Sequence, residues 1–306
     1  MISDTRWRET LKILVVGLIP YEAGKTTVAK AVVGELVSRG FSVGVSKPVA
    51  GHNLWYQSAS IRNTLEHKVL VGEDAVALKR IAGIEDPIEI INPLDIALAP
   101  IDPIYYLKNL RGFHEILSSM ISSAIMMRIS LCLDKSRVET NHFLVKDRFD
   151  RLPKTIRVLV SRIASSIKPQ PVYIESEVLE ELFLRGYIAA ETCYNAIKNL
   201  YQVLVIESFN DSATPISSIE DISSVIAVSP GKTLIYDGET YSKALKVVLG
   251  VDTRLRGSWP STSEISRLIN PVVILDTPHI EDIDEYNRYV EDLVDSILKI
   301  SEKKTF

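Results

Sequence analysis

Residues 12–18 form a nearly continuous apolar run that includes Gly17, and after a turn Val28, Ala29, Val32, Val33, Leu36 and Val37 recur at helical spacing until Gly40. The pattern predicts a strand, a loop and a helix. Phe41–Ser46 follows as a second short strand, apolar on both sides as a buried parallel strand is, and completes a βαβ unit. Further on, Gln202–Glu207, Thr233–Asp237 and Pro271–Asp276 read as three more buried strands, with a helical stretch over 239–249 after the second. Each ends in an acid, which the pattern places at the carboxyl edge where open α/β sheets bind ligands.

Between about 105 and 200 this rhythm changes. Residues 114–127 and 154–167 read as helices, and Ile129–Leu133 and Thr140–Val145 as a hairpin across the polar turn Asp134–Arg137. A last amphipathic helix spans 282–302 through Tyr286, Tyr289, Val290, Leu293, Ile297 and Leu298. The expected fold is α/β, with a central, mostly parallel sheet flanked by helices and an inserted segment. It divides into a first part over 1–104, an insertion or subdomain over 105–200, and the second half of the first part's domain over 201–306.

Composition narrows the function classes. With 46% apolar and 24% charged residues in 306, the chain is an ordinary globular one, and disorder throughout is excluded. Its 35 Lys and Arg against 39 Asp and Glu give a net charge of −4, without the basic field that holds nucleic acid. Cys132 and Cys193 lack CxxC spacing and the density of a secreted scaffold, which points to a reducing compartment. Arg6, Arg8 and Lys12 before Ile13–Ile19 imitate a signal peptide, but the apolar stretch is too short and no run of about 20 uncharged apolar residues follows. The expectation is a cytoplasmic protein with no membrane partner.

The chemistry concentrates in Gly17–Thr27. A glycine-relaxed turn that opens a helix can aim backbone N–H donors and the helix dipole at a phosphate. Gly17, Glu22, Ala23, Gly24, Lys25, Thr26 and Thr27 are the expected nucleotide-binding residues. Lys25 would reach the β and γ phosphates, and the Thr26 hydroxyl would ligate Mg²⁺. The usual spelling puts the first glycine at 19, where the chain has Ile, but the strand-before and helix-after context is the one the chemistry requires.

With Gly24-Lys25-Thr26 preceded by Glu22, and Ser46-Lys47-Pro48-Val49-Ala50-Gly51 after the second strand, the chain resembles the dethiobiotin synthetase and cobyric acid synthase group of P-loop enzymes. Gly72–Leu78 looks like the dethiobiotin synthetase helix start that carries an Asp, Ile91–Pro100 is similar to that family's Asn-Pro segment, and Val203–Glu207 matches its acid-ended strand. The resemblance covers 12–103 and about 202–240. It implies ATP and Mg²⁺ as cofactors, with Asp74 and Glu207 joining Thr26 around the metal. It also implies Lys25 and Lys47 as catalytic cations, and phosphorylation of a carboxylate or carbamate on a small acceptor. Homodimerisation across the nucleotide edge is part of the same precedent.

The chain departs from that family after Glu207, where Ser208-Phe209-Asn210-Asp211 replaces Gly-Ala-Gly-Gly and phenylalanine cannot offer glycine's backbone access. Gly257–Pro260 only faintly echoes a base-recognition segment. A second function class is a nucleotide switch that hydrolyses ATP to change its grip on a protein partner, although Pro20 stands where such proteins carry an additional lysine.

Other features have plainer readings. Ser229–Thr233 repeats Gly-Lys-Thr but precedes a strand, so it reads as a tight turn. His52 and Asn53 read as an exposed loop pair or as substrate contacts, and Trp55, Tyr56 and Trp259 as packing. His67, His114, His142 and His279 lack metal-ligand spacing. Asp237 and Asp276 read as caps, and Arg148, Arg151, Lys154 and Arg157 as a solvated face.

Overall fold

The computed structural model describes residues 9–302 apart from Ser218, Glu220 and residues 253–258. Arg6, Arg8, Gly257 and Ser258 therefore lie outside the described residues. In chain order the principal elements are β1 (Leu11–Gly17), α1 (Lys25–Ser38), β2 (Val43–Ser46), β3 (Val49–Asn53), α2 (Glu73–Ala82), β4 (Leu94–Leu98), β5 (Ala124–Asp134), β6 (Arg137–Val145) and α3 (Lys154–Ser166). They continue with β7 (Val172–Ile174), α4 (Leu179–Ile197), β8 (Val203–Glu207), β9 (Ser224–Ser229), β10 (Lys232–Asp237), α5 (Gly238–Asp252), β11 (Val273–Asp276) and α6 (Ile283–Glu302). The chain divides into two compact units, one of Met1–Lys47, Leu78–Glu85 and Ile197–Phe306, the other of Pro48–Ala77 and Asp86–Ala196.

The first unit is built on a six-stranded sheet in the order β11-β10-β9-β1-β8-β2. The strands from β2 to β9 run parallel, while β10 pairs antiparallel with both β9 and β11. Because β1 lies between two parallel neighbours, every one of its residues is buried, as its apolar run requires. The stripe Val28, Ala29, Val32, Val33 and Leu36 of α1 is buried, and α1 packs beside α6 and against the sheet. Each Val or Leu so covered contributes on the order of 1.5–3 kcal/mol.

Two expectations change in this unit, and one strand is added. Ser224–Ser229, to which the pattern assigned no element, is a buried strand beside β1. The turn at Pro230-Gly231, with Gly231 left-handed at φ 77°, reverses the chain so that Asp237 pairs with Ser224 at the start of β9. Asp237 thus lies at the edge opposite Gly17 and Glu207, where it caps α5 by accepting from the Thr240 N–H at 2.8 Å. β11 alternates between half-buried and exposed positions rather than being a buried strand, since it forms the sheet's rim, and its Asp276 meets Lys232 in an exposed ion pair.

The second unit holds a five-stranded mixed sheet, β3-β4-β5-β6-β7. It begins at Pro48 rather than near 105, because β3 and β4 pair with each other and β4 with β5. The hairpin across Asp134–Arg137 is β5–β6, and the helix expected over 154–167 is α3, whose Ile156, Val160 and Ile163 join a core with Leu70, Ile125, Met126 and Leu144. The helix expected over 114–127 instead runs Leu110–Ser118, breaks at the extended Ser119 and resumes only as the short turn Met120–Ser123, after which Ala124 opens β5, whose pairing with two strands overrides a pattern that suits either structure. Arg148 is half-buried rather than on a solvated face, and donates to the carbonyls of Ile121 and Ala124.

Cys132 on β5 and Cys193 on α4 form a disulfide with Cα atoms 4.7 Å apart. The two cysteines therefore carry no argument for a reducing compartment. No helix among the described residues is long and apolar enough to cross a membrane. The molecule is α/β, with mixed sheets of parallel strands flanked by helices, an architecture compatible with a Rossmann- or P-loop-like fold.

Candidate nucleotide and metal site

The ladder of β1 extends one residue past its end, where the Leu18 N–H donates to Val228 O at 2.9 Å. Ile19–Glu22 are then exposed, while Ala23 is buried beneath the turn. Glu22 and Gly24 are left-handed, at φ 52° and 88°, and Gly24 is the N-cap of α1. It supplies no side-chain cap, and the first turn of this 14-residue helix holds no acid. The leading N–H groups of Lys25, Thr26 and Thr27 consequently have no cap side chain as acceptor.

Gly17 is required by crowding rather than by φ. A Cβ there would come within 2.9 Å of both Asn210 O and Lys25 Nζ, so Lys25 folds its ammonium back against the end of β1. Asn210, left-handed at φ 44°, belongs to the Ser208–Asp211 segment that replaces the glycine-rich run. Ser208 ties that segment down, its N–H donating to Val15 O at 2.9 Å and its hydroxyl to Ser212 O at 2.8 Å.

Strand order β2-β8-β1 brings the remaining groups to the same edge, since parallel neighbours end together. Val15 is opposite Glu207, and Ser46, just before Lys47, is opposite Ile206. Glu207 is wholly buried, and its Oε1 accepts from Thr26 Oγ1 and from Lys47 Nζ, each at 2.6 Å. Its Oε2 has no partner. A buried carboxylate needs a counter-charge, and Lys47, itself 5% exposed, supplies it.

Gly17, Lys25, Thr26, Lys47 and Glu207 are thus assembled within the first unit, with Gly24 and Thr27 at the helix start and Glu22 and Ala23 in the turn. Asp74 belongs to the second unit, in the first turn of α2.

The donor set suits a particular kind of cation. Glu207 Oε2 is a free carboxylate oxygen, and the Thr26 hydroxyl, having given its hydrogen to Oε1, keeps lone pairs. Among the described residues no group of three or more His, Cys, Asp or Glu gathers, so an all-protein metal cage is not on offer. Mg²⁺ does not need one, because it retains waters and takes one or two protein oxygens together with substrate phosphates.

A second polar assembly, which the sequence reading missed, lies in the second unit. Asp95, Arg128 and His142 are opposite one another on β4, β5 and β6 and form a buried row. His52, expected on a loop, is a buried residue of β3 with its Nδ1 3.2 Å from Asp95 Oδ1. Asp95 Oδ2 also accepts from the Gly72 N–H at 3.1 Å, and Arg128 donates to the carbonyl and side-chain oxygens of Asn92. Burial pushes the Asp95 carboxyl up, but His52, Arg128 and the Gly72 N–H outweigh it and hold the acid below its usual range. Burial, aided by the Arg128 charge, pulls His142 down to about 4. It is therefore neutral, with Nδ1–H donating to Pro169 O at 2.9 Å and Nε2 accepting from the Leu70 N–H at 3.1 Å. Single charged residues inside the apolar runs 94–98 and 124–129 were the available signal.

Trp55 and Tyr56 are exposed, whereas Trp259 is half-buried. Comparisons of the chain with protein-family models, with curated proteins and with solved structures return no match.

Proposed function

We propose that the first unit is a P-loop nucleotide site that binds ATP with Mg²⁺ and transfers the γ-phosphoryl group to a small carboxylate or carbamate acceptor. One observation carries this reading. A wholly buried glutamate at the end of a parallel strand shares one oxygen between Thr26 and Lys47, keeps the other without a partner, and lies beside a glycine-led helix start.

In this reading the first N–H groups of α1 hold the phosphates, and Lys25 swings from the end of β1 onto the β and γ oxygens. Thr26 and Glu207 hold the ion, which when bound neutralises charge on the phosphates. Lys47 turns toward the γ-phosphoryl and stabilises its equatorial oxygens. The acceptor oxygen forms its bond to phosphorus as the bond from phosphorus to the bridging oxygen breaks, and ADP leaves with the electron pair. The protein's work is positioning and charge compensation.

The test is ATP turnover by wild type and Lys25→Ala, with and without a pool of small carboxylates and amines. Loss of Lys25 should lower kcat/KM by about 2–4 kcal/mol of transition-state stabilisation, as for other preorganised electrostatic groups. Turnover within twofold of wild type would refute the site. Stimulation by the small-molecule pool supports an acceptor, while stimulation only by a purified protein would replace phosphoryl transfer with the switch reading.

A further inference from the structure

We propose that Lys47 is a built-in stand-in for the divalent ion, which makes metal binding depend on nucleotide. The inference rests on the nucleotide-site reading above. Lys47 Nζ lies 2.6 Å from Glu207 Oε1, and both side chains are buried, so the glutamate is already charge-balanced. Thr26 donates to that same oxygen, which leaves Oε2 as the atom open to a metal. A divalent ion arriving there alone would face a carboxylate whose charge Lys47 already neutralises, with the Lys25 ammonium at the end of the neighbouring strand. Excess positive charge in a desolvated site is strongly unfavourable.

A triphosphate reverses the balance. Its negative charge gives Lys47 a new partner and frees Glu207 for the ion. The lysine moves from a carboxylate to phosphate oxygens as the metal takes its place, and no bond is made or broken. The consequence is ordered loading, in which the empty site rejects free Mg²⁺ and accepts it with nucleotide.

The experiment measures Mn²⁺ binding by electron paramagnetic resonance, in the nucleotide-free protein and with a non-hydrolysable ATP analogue. Wild type should bind Mn²⁺ weakly alone and tightly with the analogue. Lys47→Met should bind Mn²⁺ at least tenfold more tightly than wild type without nucleotide, and Lys47→Arg should resemble wild type. Lys47→Met combined with Glu207→Gln should lose the gain. If wild type binds Mn²⁺ with the analogue but Lys47→Met shows no nucleotide-free gain, the stand-in role is overturned while the nucleotide site stands. If wild type binds no Mn²⁺ under either condition, the nucleotide-site reading itself fails.

Should Lys47→Met not fold, the ¹⁵N resonance of the Lys47 ammonium in wild type decides the matter. It should move when Mg²⁺ and analogue are added together and stay in place with Mg²⁺ alone. A shift with Mg²⁺ alone, or none with both in a protein that binds them, overturns the proposal.

Discussion

One residue in each unit is set by its surroundings. Gly17 tolerates no side chain because Asn210 O, a backbone atom that cannot swing away, stands where a methyl group would go. Gly17→Ala should therefore destabilise the protein by about 1–3 kcal/mol, as overpacking does. It should also displace Lys25 and weaken nucleotide binding, which urea denaturation and a nucleotide titration check together. In the second unit, His142 is neutral in the fold, with its pKa lowered from 6.5 to about 4. The unfolded chain binds the proton first, so this residue's contribution is complete above pH 6.5 and is lost as pH falls toward 4. Stability measured across that window should fall by at most about 3 kcal/mol on account of this group. A His142→Gln variant should lose this part of the slope, and an unchanged profile would contradict the assignment.

At the scale of elements, the strands and helices with the clearest periodicity were legible. β1, α1, β8, α3 and α6 follow runs whose spacing admits one structure, and the phosphate-loop candidates Gly17, Gly24, Lys25 and Thr26 were visible because they punctuate such runs. β9 carried a strand signal in the apolar run Val225–Val228 before Pro230-Gly231, and pairing with β1 and β10 fixes it as a strand. β3 was hidden by His52 and Asn53, polar residues that read as a loop until pairing with β4 fixes them. The Glu207–Lys47 pair could be suspected only from resemblance, because 160 residues separate its partners. Ile226→Ala in β9 should cost about 2–5 kcal/mol, as buried large-to-small changes do. A loss below 0.5 kcal/mol in denaturant unfolding would contradict its central place. The disulfide closes a separation of 61 residues, so replacing Cys132 and Cys193 by serine should destabilise the second unit by up to about 4 kcal/mol in the chain-entropy account. A variant as stable as wild type under oxidising conditions would deny the bond that contribution.

At the scale of the molecule, the two units differ in what they assemble. The first gathers Thr26, Lys47 and Glu207 at one edge of its sheet, whereas the second buries a charge-compensated row in its interior. The division falls at Pro48, directly after Lys47, so a chain of short strands changes sheets at the residue that neutralises Glu207. The expected inserted segment over 105–200 is part of a larger unit because β5 pairs with β4 from the earlier stretch. The most direct measurement is a crystal structure of wild type with Mg²⁺ and a non-hydrolysable ATP analogue. Phosphates should lie on the N–H groups of residues 24–27, with the ion against Thr26 Oγ1 and Glu207 Oε2. Phosphates bound away from α1, or Glu207 Oε2 still without a partner in the nucleotide-bound protein, would contradict the nucleotide-site reading.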